Sequence, residues 1–163
     1  MASLPVLDPA TVAERTGSPY PAPLGEPCRN RGKRALGNEL GLTHFGVNLT
    51  RIEPGAWSAL RHWHTRQDEF VYVLEGELVL VTDAGEQTLR PGDCAGFPAG
   101  VANGHHIQNR SAREAVMLEV GSRRPAEDGC DYPDIDLVLD EGSEQYRRRD
   151  GRPYADTKTA RSR

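Results

Sequence analysis

Residues 54–76 read PGAWSALRHWHTRQDEFVYVLEG. Side chains alternate faces along a strand, so His62 and His64 share one face and Trp63 takes the other. The polar stretch 65–68 reads as a turn, and Glu69 opens a second strand that reverses beside the first. Two imidazoles and a carboxylate then converge from adjacent antiparallel strands, and Gly76 closes the hairpin that follows. With so regular an alternation between them, Trp57, Trp63, Phe70 and Tyr72 read as packing residues.

Outward from this stretch, strand-like runs recur at short intervals: residues 42–52, 56–63, 69–74, 77–82, 86–89, 94–97, 105–108 and 115–120. Gly and Pro mark the turns between most of them, as in Glu53-Pro54-Gly55 and Arg90-Pro91-Gly92-Asp93. Short strands at such spacing predict an antiparallel sandwich or barrel, and no four-turn helix is legible. Residues 1–40 read as an irregular arm. Asp8-Pro9 starts a short helix there through Ala13 and Glu14, with Asp as N-cap and Pro at N1. Arg29, Arg31, Lys33 and Arg34 form a basic cluster whose simplest meaning is a solvated arm. Residues 132–139 add one edge strand to a polar C-terminal extension, 122–163, whose tail to Arg163 reads as exposed.

Composition narrows the class. The 163 residues fit one domain, with the flanks wrapping a central barrel over 41–121. Hydrophobic residues are 37% of the chain, which fits a small core with many turns. The 24 acidic residues outnumber 20 Lys and Arg, so neither nucleic acid nor an anionic membrane is expected as a partner. The longest apolar run, Phe70-Val71-Tyr72-Val73-Leu74, is far short of the ~20 residues that span a bilayer. The N-terminus lacks a basic and then apolar leader, so a cytoplasmic location is expected. Cys28, Cys94 and Cys130 are scattered, with no CxxC. They read as reduced, unreactive thiols, with Cys94 a small buried side chain in its strand.

A second constellation lies in residues 91–109, PGDCAGFPAGVANGHHIQN. His105 shares its parity with Ile107 and Asn109, which points it inward; His106 shares parity with Gln108 and points outward. His44 reads as structural or exposed.

Together the two stretches resemble the motifs of the cupin superfamily, G-x5/6-H-x-H-x3/4-E-x6-G and G-x5-P-x-G-x2-H-x3-N, over roughly residues 41–121. The first agrees in all its spacings. In the second, Asn103 stands where the family places its histidine, and a two-residue insertion restores His105-x3-Asn109. The resemblance implies a small antiparallel jelly-roll β-barrel with irregular N- and C-terminal extensions. It implies one metal held by His62, His64, Glu69 and His105, with His106 and Asn103 as second choices. Asn109 reads as a hydrogen-bonding neighbour. It also implies a homodimer, in which the N-terminal arm packs on the barrel or on a partner subunit.

A His3Glu set suits one divalent transition metal, such as Fe, Mn, Ni, Co, Zn or Cu, and is too nitrogen-rich for Ca or Mg. On a six-coordinate ion it leaves two positions for water or a small-molecule ligand or substrate with adjacent oxygens. Three readings follow. The first is an isomerase or lyase acting on a sugar or sugar-phosphate-like metabolite, a label that similar single-domain cupins carry. The second is an Fe- or Ni-dependent dioxygenase. The third is a non-catalytic small-molecule-binding or regulatory protein. No catalytic residue outside the ligand set is evident as a general base.

Overall fold

The computed structural model describes residues 6–154, and its strands follow in order. They are β1 (Arg15–Thr16), β2 (Arg31–Arg34), β3 (Phe45–Ile52), β4 (Trp63–His64), β5 (Glu69–Glu75), β6 (Leu78–Thr82), β7 (Gly85–Leu89), β8 (Cys94–Phe97), β9 (His106–Gln108), β10 (Ala115–Ser122), β11 (Cys130–Tyr132), β12 (Leu137–Leu139) and β13 (Tyr146–Arg147). The one α-helix among the described residues is a single turn, Leu36–Glu39. No helix there is long and apolar enough to cross a membrane.

Three antiparallel sheets result. Six strands align in the order β1-β2-β3-β10-β5-β8; β13-β12-β11-β4 form a second sheet and β7-β6-β9 a third. The period-2 pattern decides which face is covered. On β5, Val71 and Val73 are buried while Phe70, Tyr72 and Leu74 are about 40% exposed. On β3 and β10 the buried partners are Thr50, Ile52, Ala115 and Met117. These residues face Leu78, Leu80, Leu89 and Ile107 from the third sheet, and together they make the main core. A second core gathers Leu60, Cys130, Tyr132, Leu137, Leu139 and Tyr146, so the C-terminal extension contributes its own apolar layer.

Several expectations are corrected. Residues 1–40 are not wholly irregular: β2 pairs with β3 through Arg31↔Ile52 and Lys33↔Thr50. Arg31 is therefore buried, not part of a solvated arm, and donates to Gly17 O and Ser58 O. The helix at Asp8 is one 3-10 turn, Pro9–Thr11, capped by Asp8 Oδ1 accepting from Ala10 N at 2.9 Å; it stops before Ala13. Residues 56–61 form no continuous strand. Residues 130–139 form two paired strands, where one had been expected, because the turn at Pro133 lets the chain fold back. Phe70 and Tyr72 lie on the outer face of the six-stranded sheet, outside the core. Cys94 is exposed, because its parity on the edge strand β8 is that of Gly96 on the outer face. The tail after residue 154 lies outside the described residues.

Candidate metal centre

The His-x-His strand does not pair with the strand that begins at Glu69. β4 pairs with β11, through His64↔Cys130 and Trp63↔Asp131. β5 instead lies between β10 and β8 in the other layer. The three groups still converge, because the two layers face each other across the interior. Gly76 accordingly ends β5 by carrying the chain to β6 in a different sheet; it does not close a paired hairpin.

Backbone bonds set the imidazoles in place. His62 and His105 exchange both main-chain hydrogen bonds, at 3.2 and 2.8 Å, in an isolated antiparallel bridge. Gly100 N donates to His64 O at 2.9 Å, so the turn of the second motif holds the strand of the first. Glu69 pairs with Phe97 on β8, and the Phe97 ring lies flat on His105 with centroids 3.6 Å apart.

The side chains of His62, Glu69 and His105 cluster, and His64, which also groups with Asp128 and Cys130, reaches Glu69. Glu69 Oε2 is 2.8 Å from His105 Nε2 and 3.8 Å from His62 Nε2, and Glu69 Oε1 is 3.6 Å from His64 Nε2. The opposite ring nitrogens are engaged elsewhere. Nδ1 of His62 donates to Leu60 O at 2.8 Å, and Nδ1 of His105 donates to Asn103 O at 3.1 Å. Nδ1 of His64 lies 2.7 Å from Asp128 Oδ2. A carbonyl oxygen only accepts, so Nδ1 carries the proton in His62 and His105. In a neutral His62 this leaves Nε2 free to accept, whereas the 2.8 Å contact of His105 Nε2 with Glu69 Oε2 is a hydrogen bond that a bound ion would replace. Three imidazole nitrogens and one carboxylate in one small space are a donor set that fits a divalent transition ion.

The electrostatics agree. Burial holds His62 well below its usual range, at about 3, against the pull of Glu69. Burial also disfavours charge on His64, but Glu69 and the hydrogen bond to Asp128 outweigh it and raise the ring to about 11. Desolvation of the half-buried Glu69 would raise its carboxyl, yet the neighbouring His64 and the hydrogen bond from His105 hold it far below the ordinary carboxylate range.

The remaining candidates stand outside. His106 is buried, not outward in solvent, because Trp57 packs edge-on against it with centroids 4.6 Å apart. Its Nδ1 donates to Ala59 O at 3.1 Å, and its Nε2 accepts from Gln108 Nε2 at 2.9 Å. No lone pair is left for a ligand. Asn103 Oδ1 accepts from Asp83 N at 3.0 Å. Asn109 is fully buried, donates to Ile52 O and Arg113 O, and accepts from Ser111. His44 is exposed.

Two residues escaped the sequence reading. Asp128, 2% exposed, bonds His64 Nδ1, and Cys130 Sγ lies 3.2 Å from the same nitrogen. Their signal was parity: Cys130 and Tyr132 share the buried face of β11, and Asp128 stands two residues before that strand in polar sequence.

Comparison with known proteins places this geometry. The description "Cupin domain" matches residues 48–121. A crystal structure from Silicibacter pomeroyi DSS-3, described as a sugar phosphate isomerase from a cupin superfamily, is 47% identical. It aligns with 92% of this chain and 96% of its own at a TM-score of 0.86. The chain belongs to the cupin superfamily. A crystal structure from Acidithiobacillus ferrooxidans ATCC 23270, provisionally named a sugar phosphate isomerase, is 35% identical over 72% of this chain and 74% of its own, with a TM-score of 0.65. The polyketide cyclase RemF from Streptomyces resistomycificus, 21% identical over 75% of this chain and 80% of its own, shares the fold at a TM-score of 0.59. No curated protein matches.

Proposed function

We propose that this cupin is a metal-dependent enzyme of the isomerase or lyase type acting on a small sugar- or sugar-phosphate-like metabolite. His62, His64, Glu69 and His105 hold its single divalent transition ion. The observation that carries the reading is the approach of three imidazole Nε2 atoms to one carboxylate, with Nδ1 of each ring engaged by another acceptor. The near full-length likeness to a protein described as a sugar phosphate isomerase supports the substrate class. When bound, the ion supplies a Lewis acid that polarises a carbonyl oxygen of the substrate.

The chain's own residues account for the rest. Phe97 presses the His105 ring into place and, with Gly96, Pro98, Val101 and Asn103, lines a small hollow. Proton transfer needs a group outside the ligand set. Glu119 on β10 pairs across from buried Val71, so it faces the interior, one diagonal from Glu69. Lys33 on β2 shares that face and meets Glu119 Oε2 at 2.5 Å. In this reading Glu119 takes the proton from the hydroxyl-bearing carbon next to the carbonyl and returns it to the former carbonyl carbon, while the hydroxyl proton passes to the former carbonyl oxygen. Lys33 orients that carboxylate through their ion pair and receives the substrate's anionic end.

The test is a panel of aldose and ketose phosphates in D2O with protein loaded in turn with each candidate metal. Exchange of the C–H beside the carbonyl, together with interconversion, is the expected result. Metal-loaded protein inert toward the whole panel would remove the isomerase reading. Oxygen uptake by the iron form with enediol substrates would replace it with the dioxygenase.

A further inference from the structure

The three imidazoles of the centre are not oriented alike. His62 and His105 each give Nδ1–H to a main-chain carbonyl two residues earlier, at Leu60 and Asn103. Their own segments therefore orient them. His64 has no such local acceptor. Its Nδ1 meets a carboxylate 64 residues later in the chain, Asp128 Oδ2 at 2.7 Å. That residue lies beyond the stretch that matches the cupin domain, residues 48–121.

Asp128 is itself held rigidly. Its side chain is buried, and Oδ1 accepts from Arg66 N at 2.9 Å. Its N–H donates to Arg124 O at 3.0 Å, and its carbonyl accepts from Gly142 N at 3.1 Å. The next residue is locked against the His64 strand: Thr65 N donates to Gly129 O at 3.0 Å, and Gly129 N donates to Thr65 Oγ1 at 2.9 Å. A Cβ on Gly129 would fall 2.7 Å from Leu139 O, so the close approach of this segment leaves no slack. Cys130 Sγ, at 3.2 Å from Nδ1, is the alternative partner if the carboxylate is removed.

The geometry points to Asp128 as the positioning residue of the centre: it fixes the Nδ1–H tautomer and ring angle of His64, so that Nε2 faces the ion. This rests on the metal reading above. A carboxylate on the far nitrogen also makes the ring a better donor than a carbonyl does, because it stabilises positive charge on the imidazole. The C-terminal extension is therefore a working wall of the site.

The experiment compares wild type, Asp128→Asn, Asp128→Ala and Thr65→Val in the full chain. Two readouts are taken: Co(II) affinity by chelator competition, and the His64 ring nitrogens by 15N NMR in metal-free protein. Asp128→Asn keeps the shape and loses the charge, and should weaken Co(II) binding roughly 10-fold; Asp128→Ala should approach about 100-fold. In metal-free Asp128→Ala the His64 ring should lose its Nδ1–H, while His62 and His105 keep theirs. Thr65→Val loosens the segment without touching the carboxylate, and should change Co(II) affinity less than about threefold. Wild-type affinity and an unchanged His64 tautomer in Asp128→Ala would overturn the assignment alone. Loss of affinity in Thr65→Val as large as in Asp128→Ala would reduce Asp128 to a structural part and overturn it as well. Wild type that binds no Co(II) would overturn the metal reading and this assignment with it.

Discussion

At the scale of single residues, adjacent histidines take opposite duties. His105 shows Nε2 to Glu69, whereas both nitrogens of His106 are already bonded, to Ala59 O and to Gln108. Elemental analysis of purified variants should therefore find His64→Ala without stoichiometric metal and His106→Ala with nearly a full equivalent. His106→Ala should instead lose stability, by about 1–3 kcal/mol in a denaturant titration, since it leaves Ala59 O and Gln108 unpaired in a buried place. The pair His62 and His64 sets a pH signature in the metal-free protein. The His62 pKa falls from its unfolded value near 6.5 to about 3, so its contribution is present above 6.5 and is lost as pH falls toward 3. The His64 pKa rises to about 11, so its contribution is present below 6.5 and is lost as pH climbs toward 11. The urea midpoint should peak near pH 6.5, and His64→Ala should flatten the alkaline limb. Metal uptake displaces the His64 proton, so affinity should rise with pH across the same range.

At the scale of elements, the two glycines that bracket the first motif serve different ends. Gly55 has φ +81° with open space where a side chain would stand. Gly76 has φ +78°, and a Cβ there would lie 2.7–2.8 Å from Ala115, the first residue of β10, and from Glu114 O just before it. Gly55→Ala meets only the backbone penalty, about 1 kcal/mol. Gly76→Ala adds a clash with main chain that cannot rotate away, and should lower stability by roughly 3 kcal/mol or more, read as a shift in urea midpoint. This contrast also marks what was legible. The spacing of Gly55, His62, His64, Glu69 and Gly76, and the alternation along β5, gave the elements and the four converging groups. The partner of the His64 strand was not legible, because a two-residue strand carries no pairing signal and its ladder lies 66 residues away, at Cys130. Asp128 was hidden for the same reason: a buried acid in a polar segment looks like a surface charge until the strand it abuts is known.

At the scale of the whole molecule, the outer face of the six-stranded sheet is apolar from strand to strand. Val47, Val120 and Phe70 stand in one cross-strand row, and Leu49, Leu118 and Tyr72 in the next. Leu74 and Phe45 extend the patch, and with Phe70 and Tyr72 they are 38–43% exposed. To one side Arg51 bonds Glu14, Glu53 and Glu114, a charged border beside an apolar field. That arrangement has the anatomy of an interface core with a polar rim. Monomers seldom leave a contiguous apolar patch beyond about 300–600 Å2, whereas a stable contact covers about 800 Å2 on each partner. A second copy of this chain, related by a two-fold axis, presents the same rows to itself and needs no other partner chemistry. The homodimer implied by the family resemblance is therefore proposed to form here, sheet against sheet. Sedimentation at micromolar concentration should give twice the chain mass of 17.9 kDa. Tyr72→Asp combined with Leu74→Asp should give the single chain, because two carboxylates per copy would be buried in an apolar contact without partners. Both substitutions point away from Glu69, so metal content should be unchanged. A double variant that still sediments at twice the chain mass would place the contact elsewhere, with the unpaired edge of β8 the next surface to alter.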